Sequence, residues 1–554
     1  PDGSVALSDP LQGAAGLPLL PGDLDPAGGL GAGAVVPADT RPVLVVSLGS
    51  SHRLQRLDAL TLAPIGPRIE LVDRDVQPKR SLREPRHILV KQGYTYVLGL
   101  KGGNSDSYDF DVYIGDDTGA HVTSLSGLGS TNAAMVLDAE GDLFIVGGEA
   151  QNHLQSEPVV AAAPTGFVKS TLYWVRDPLR EAKVARRDLN AVADPVGGTP
   201  TPVGLDRALA LPTDLVVFQP VVGPRKLFVA ASGSDRLGIL EPVASQPPTD
   251  WATRILELPP QAGSGLIASG PRALALRPVN PKTGTPARLY VLERFTNRIR
   301  VIDPESETIL GGFPLNADPT PPWVRLGRPW LYSARDTSGN GFVACASCHV
   351  EGRTDGLVWN LGDPAAPRDP FPLQLVSGLP RDQFLDGDCD DDLNTVFDDF
   401  VINGFPQKFD MMTQSLQGLL NFETDPAGET SAFFTNANYH WRADRAGLEA
   451  FNGAFVNLQG MPALPGSDPV EGLDAEQMGQ LVEYVNSIHY PPNPRQPLSR
   501  SYEGSLGSPE DAASGSGTLR GLKLYHTQPL ETTFGMSCAQ CHWLPEGRDN
   551  RVTE

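Results

Sequence analysis

Two five-residue segments carry the chemistry of this chain: Cys345-Ala346-Ser347-Cys348-His349 and Cys538-Ala539-Gln540-Cys541-His542. In a C-x-x-C-H segment the two thiols are spaced to bond the two vinyl positions of one porphyrin, and the adjacent imidazole reaches the iron as an axial ligand. A zinc site would want a second ligand pair nearby. A thioredoxin-like redox site would need a strand-helix-strand setting and has no use for the histidine. The expected chemistry is therefore covalent attachment of two c-type haems. Cys345, Cys348, Cys538 and Cys541 are the anchors, and His349 and His542 are the proximal ligands.

The second axial position has several candidates. His440 lies in Tyr439-His440-Trp441-Arg442-Ala443-Asp444-Arg445, where a distal ligand could fold back over the ring, and a hydrogen-bonding or surface role is the alternative. Met411, Met412 and Met461 compete as thioether ligands, which would raise the potential relative to a second histidine, or they are simple core packing. Asp386, Asp388, Asp390 and Asp392 alternate around Gly387 and Cys389. Two readings of that run stand side by side, a set of hard oxygen ligands for calcium and a solvated acidic loop. Cys389 is the fifth cysteine, and one unpaired cysteine makes a poor disulfide framework.

These residues must be positioned by a chain of 554 residues, long enough for two or more cores. Hydrophobic residues make up 40% and charged residues 20%, a globular composition, and no run approaches the roughly 20 apolar residues of a membrane helix. The net charge of -22 argues against nucleic acid as a partner and favours a redox partner with a basic face. Residues 1–38 read as an extended arm, 39–338 as an all-β region, 339–498 as a first mainly α cytochrome c-like domain, and 499–554 as a linker with an incomplete second one. Only 12 residues follow His542, so either the chain is truncated there or another segment or subunit completes the second haem pocket.

The all-β assignment rests on an internal repeat. Arg53, Arg236 and Arg298 are each preceded nine residues earlier by Leu44, Leu227 and Leu289, which open short apolar runs. Weaker strand signals at Tyr94 to Leu98, Leu143 to Val146, Thr171 to Val175 and Trp330 to Tyr332 bring the count to about seven blades of a β-propeller. In the second half the clearest helix runs from about Ala475 to Ile488, with Asp474 as N-cap and Gln477 three residues on.

The segments Ala273 to Leu276, Arg288 to Val291 and Asn297 to Asp303 resemble the YVTN-type propeller repeat of exported bacterial proteins. Cys345 to Trp359 (CASCHVEGRTDGLVW), Thr413 to Gly418 (TQSLQG) and His440 to Arg445 (HWRADR) resemble the bacterial di-haem cytochrome c peroxidase and MauG superfamily, in a branch fused to such a propeller. That resemblance implies two cytochrome c-like helical domains with a haem in each, and it adds weight to calcium between them. Three functions stay open: electron transfer with the propeller as docking scaffold, a peroxidase-like or MauG-like oxidoreductase, and a subunit of a self-assembled haem-bearing filament. Covalent haem attachment takes place outside the cytoplasm, so a periplasmic or extracellular location is expected.

Overall fold

The computed structural model describes residues 33–36, 43–47, 53–73, 80–101, 109–116, 118–152, 167–192, 201–244, 246–261, 263–280, 282–315, 318–359, 411–419, 447–467, 471–489, 518–527 and 537. Up to Pro314 the described chain is built from antiparallel meanders. The first comprises Gly33–Val36, Val43–Ser47, Arg53–Asp58 and Ile69–Glu70. The second joins Arg80–Lys91, Tyr94–Lys101, Val112–Asp116 and His121–Leu125, and the third Thr131–Leu137, Leu143–Ala150, Val168–Arg176 and Lys183–Asp188. The fourth comprises Pro212–Phe218, Lys226–Ala231, Arg236–Leu240 and Thr253–Glu257, and the fifth Pro271–Arg277, Arg288–Glu293, Arg298–Asp303 and Thr308–Pro314. The first strands of successive meanders pack side by side in chain order, the arrangement of blades in a propeller-like fold.

The internal repeat is the pairing register itself. Leu44 faces Leu57, Leu227 faces Leu240 and Leu289 faces Ile302, the same thirteen-residue offset each time. Against the expectation of about seven blades, the described residues form five meanders, the second and third joined into one ten-stranded sheet through Thr131 and Lys101. Leu143–Ala150 and Val168–Arg176 are neighbours within one blade, so two of the weaker signals count once. Trp330 to Tyr332 is not a strand but the end of a helix. A run of three apolar residues cannot be assigned by period alone, and Pro322 at the first helical position presets the helical backbone there.

The second strand of each of the first four blades carries a continuous buried run, packed on both faces, whereas that of the fifth alternates. In the third blade Phe144 and Val146 pack toward Leu227 and Val229 of the fourth, while Leu143 and Ile145 pack toward Leu98 and Ile114 of the second. In the fourth, Phe228 and Ala230 turn the other way, onto Leu289 and Val291 of the fifth. These cores are sheet-on-sheet contacts, at roughly 1.5–3 kcal/mol for each fully buried large apolar side chain.

A helical layer follows. Helix α1 (Pro322–Tyr332) crosses helix α4 (Ala475–Asn486), with α2 (Ala334–Thr337), α3 (Asn452–Asn457) and α5 (Thr518–Thr527) between and after them. The capping box expected for α4 is present: Gln477 N donates to Asp474 Oδ1 and Asp474 N to Gln477 Oε1, both at 2.9 Å. Its buried face, Met478, Leu481, Tyr484 and Val485, shares one cluster with Trp330, Leu331 and Tyr332 of α1, Phe455 of α3, and Phe295 from the fifth blade. The helical layer thus sits directly on the sheets. The two helices meet at Gly327, where a Cβ atom would lie 1.9 Å from the Gln480 carbonyl oxygen. Alanine is the better helix former by about 1 kcal/mol, yet Gly327→Ala is expected to lose roughly 1–3 kcal/mol of stability because the helices must separate. Urea unfolding measures this, and an unchanged midpoint would contradict the close approach.

Candidate functional site

Beyond α2 the chain turns inward through buried Phe342, Val343 and Ala344. Cys345–Ser347 then makes a single helical turn, closed by Cys348 N and His349 N donating to the Cys345 carbonyl at 3.3 and 2.9 Å. Ser347 Oγ accepts from Ala344 N at 3.0 Å and caps the turn. The turn delivers its two thiols to different surroundings. Cys345 packs against the cluster of Phe455, Leu481 and Val485, whereas Cys348 packs against Phe342, Val343, Trp359 and the Phe167 ring of the third blade's edge.

His349 is held by a contact from far along the chain. Its Nδ1 lies 2.8 Å from the carbonyl oxygen of Gln414. An acceptor there requires a proton on Nδ1, which leaves the Nε2 lone pair as the available ligand atom. Burial lowers the imidazole pKa, partly offset by that hydrogen bond, so the neutral, ligating form is favoured. Gln414 belongs to the TQSLQG segment, which straps the motif on its other side. Thr413 N donates to Leu357 O at 3.1 Å, Leu416 N to Gly352 O at 3.0 Å, and Gly418 N to Ile488 O at 2.7 Å. Asp355, 3% exposed, closes the loop by accepting Leu357 N and Trp359 Nε1, each at 2.9 Å.

Both thiols are protonated at neutral pH. Burial pushes Cys345 up to about 11 against the pull of a hydrogen bond from Gln459 Nε2 to its sulfur at 3.3 Å, and burial with the nearby Asp355 charge raises Cys348 as well. Such thiols are poor redox nucleophiles. Nor do the ligand atoms of Cys345, Cys348 and His349 gather as a metal-ion site: among the described residues only Asp138, Glu140 and Asp142 converge in that way. Those three already surround the Arg225 guanidinium, which contacts Asp138 directly and lies 2.8 Å from Glu140 and 3.9 Å from Asp142. Two spread thiols beside an imidazole that donates from Nδ1 are the donor set that a c-type haem uses, bonded at its edge and at its iron. The residues fit that group.

Two residues on, the backbone is strained. Glu351 has φ 56 and ψ 35, the left-handed region that non-glycine residues seldom occupy. Its carboxylate Oε1 accepts from both Arg86 of the second blade and Arg272 of the fifth. Burial alone would raise the Glu351 pKa, but the charges of Arg86 and Arg272 overcome this and hold it well below the usual carboxylate range. The motif is thereby tied to two blades of the propeller.

The other expected residues fall as follows. Met461 packs on the same cluster as Cys345 and Phe455, with its sulfur against Gly472. Met412 is 48% exposed on a two-stranded ribbon opposite Val358, and Met411 pairs with Trp359 on the same ribbon. Cys538, Cys541, His542, His440, Asp386, Asp388, Asp390, Asp392 and Cys389 lie outside the described residues. Sequence reasoning missed Glu351, Arg86, Arg272, Gln414 as a partner of His349, and Gln459. Glu351 and Gln414 lie in the segments Cys345 to Trp359 and Thr413 to Gly418 singled out in the sequence, whereas nothing there marked Arg86, Arg272 or Gln459.

Glu351→Gln is expected to lower stability at pH 7 by roughly 1–3 kcal/mol, because two partly buried guanidiniums lose the carboxylate they share. With the folded pKa depressed, the Glu351 contribution is full above the ordinary carboxylate range and is lost as pH falls through it, so the acid limb of stability should be shallower in the variant. Urea unfolding between pH 7 and pH 3 checks both, and equal stability at pH 7 would remove the tie.

No protein-family model matches the chain, and no curated protein sequence matches it. Among solved structures it is similar to the Kuenenia stuttgartiensis hydrazine synthase at 15% identity and a TM-score of 0.31, over 53% of this chain and 98% of that one. It is also similar to AztD of Citrobacter koseri at 14% identity and 0.27, over 52% of this chain and 58% of that one. PorZ of Porphyromonas gingivalis matches at 8% and 0.31, over 50% of this chain and 33% of that one. At these scores the propeller-like description of the chain rests on its own strand pairing.

Proposed function

We propose that this chain is an exported c-type cytochrome that moves electrons. Cys345 and Cys348 would hold one haem through thioethers with His349 Nε2 on its iron, and Cys538, Cys541 and His542 would do the same for a second. The observation that carries the reading is the 2.8 Å contact from His349 Nδ1 to the Gln414 carbonyl. It fixes the tautomer and the ring plane of the one residue whose orientation an axial ligand depends on. The haem, when bound, supplies an iron that cycles between ferrous and ferric states. The chain's own part is to hold and shield it. Phe342, Trp359 and Phe455 present apolar surface around the two cysteines, and Gln459 contributes a polar contact at Cys345. Met461, on the cluster that Cys345 joins, is the better placed of the thioether candidates among the described residues for the second axial position.

The acidic surface, with a net charge of -22, suits docking to a basic-faced redox partner, and the propeller offers a broad platform for it. Export follows from the attachment chemistry, and periplasm or cell exterior is the location proposed. The test is a reduced-minus-oxidised visible spectrum before and after hydrogen peroxide, with the haem-to-protein ratio taken on the same sample. The electron-transfer reading expects two low-spin haems per chain that ignore peroxide, and reduction by a basic partner that slows as salt rises. A high-spin haem that turns peroxide over would instead place the chain with the peroxidase-like oxidoreductases.

A further inference from the structure

The turn between Lys226–Ala231 and Arg236–Leu240 of the fourth blade buries a carboxylate at a three-way junction. Asp235, 1% exposed, ends that turn with its backbone in the left-handed region at φ 54. Its Oδ1 accepts from Ser269 N at 2.8 Å, from Ser269 Oγ at 3.1 Å and from Gly270 N at 2.8 Å, the residues that lead into the fifth blade. The helical layer joins at the same turn, where Arg335 N of α2 donates to Gly233 O at 3.0 Å. One acidic side chain thus stands where the fourth blade, the fifth blade and α2 meet.

The other oxygen of this carboxylate is the anomaly. Oδ2 is buried and has no hydrogen-bond partner among the described residues. A buried anionic oxygen without a donor is costly, and a proton is a ligand that needs no further space. The charged groups around the turn do not supply the donor. Arg236, the next residue, is engaged with Glu257 and with the carbonyls of Leu205 and Ala208. Arg335 lies 3.7 Å from Glu257, and Asp336 of α2 brings like charge, its own Oδ2 accepting from Ser333 Oγ at 2.6 Å. Residues 208–211 and 268–271, which pack on the turn, carry no titratable side chain. Burial pushes the Asp235 carboxyl up to about 6, and the Asp336 charge adds to this against the pull of the Gly270 and Ser269 donors. Asp214 of the same blade is also pushed up to about 6 by burial, but both of its oxygens accept a backbone N–H, from Leu215 at 2.8 Å and from Leu274 at 2.6 Å.

We infer that Asp235 is a proton-operated latch between the propeller and the helical layer: uptake of one proton on Oδ2 removes its charge from beside Asp336 and tightens the junction of the fourth blade, the fifth blade and α2. Because α2 leads into the motif turn, the seat of Cys345 and Cys348 is firmer in mildly acidic surroundings than at neutral pH. The latch acts whether or not the cysteines carry haem. A carboxyl that holds its proton above the ordinary value contributes stability that is full below that value and is lost as pH rises through about 6.

The experiment uses the purified full chain between pH 5 and pH 7.5. Infrared difference spectra are expected to show a protonated carboxyl lost across this range, with that signal missing in Asp235→Asn and its midpoint moved to lower pH in Asp336→Asn. From urea unfolding, the folding equilibrium constant of the parent should fall about tenfold more over the range than that of Asp235→Asn, which keeps the contribution of Asp214. Hydrogen exchange at the Gly270 and Arg335 amides, corrected for intrinsic rates, should be slower at pH 5 than at pH 7.5 in the parent and equally slow at both in Asp235→Asn. The inference is overturned by an infrared signal that persists in Asp235→Asn or does not move in Asp336→Asn, or by exchange in the parent that is independent of pH. The Asp336→Asn and parent measurements decide the matter even where Asp235→Asn does not fold.

Discussion

The shared hold of Arg86 and Arg272 on the Glu351 carboxylate is the contact on which the rest of the molecule depends. It joins three distant parts of the chain, since Arg86 and Arg272 come from different blades, 265 and 79 residues from Glu351 in the segment that carries the cysteines. A buried carboxylate between two guanidiniums tolerates neither the loss of a partner nor a shift of position. The left-handed backbone at Glu351 is spanned by local hydrogen bonds from Gly352 N to His349 O and from Arg353 N to Val350 O, and the two arginines add an external constraint. With that residue fixed, His349 and Cys348 have little freedom, and the propeller acts as the plinth on which the motif turn is set.

The turn is then finished from the other side. The TQSLQG strap holds the His349 ring through Gln414 and bonds to the end of α4 through Gly418 and Ile488. Polar and apolar contacts are segregated around the turn. Its thiols face two hydrophobic clusters, and its opposite side, at Ser347 and Glu351, faces the charged interior of the propeller. Under the proposed reading, a haem would lie on the apolar side of this short segment, and the ionic anchor would stay out of its way. Burial on the cysteine side favours the neutral forms of both the imidazole and the thiols.

Local signals in the sequence were reliable where structure is local. The thirteen-residue hairpin offset followed from the spacing of Leu44, Leu227 and Leu289, and the capping box of α4 from Asp474 and Gln477. Trp330 to Tyr332 misled because a short apolar run fits a strand and a buried helix end equally well. The pairing of Leu143–Ala150 with Val168–Arg176 inside one blade is a matter of topology that neither strand announces. The site divides in the same way. The cysteines and histidine are legible because C-x-x-C-H is a compact local motif, whereas Gln414, Gln459 and the two arginines reach it only through tertiary contacts that no spacing encodes.

The central claim is that Cys345, Cys348 and His349 form a haem-attachment site rather than a pair of buried free thiols. It is tested most directly by mass spectrometry of the peptide spanning these residues, from protein produced with a haem-attachment system outside the cytoplasm and alkylated under denaturing conditions. The account predicts that the peptide carries the mass of one haem and takes up no alkylating agent at either cysteine. Two alkylated cysteines on a haem-free peptide would contradict it.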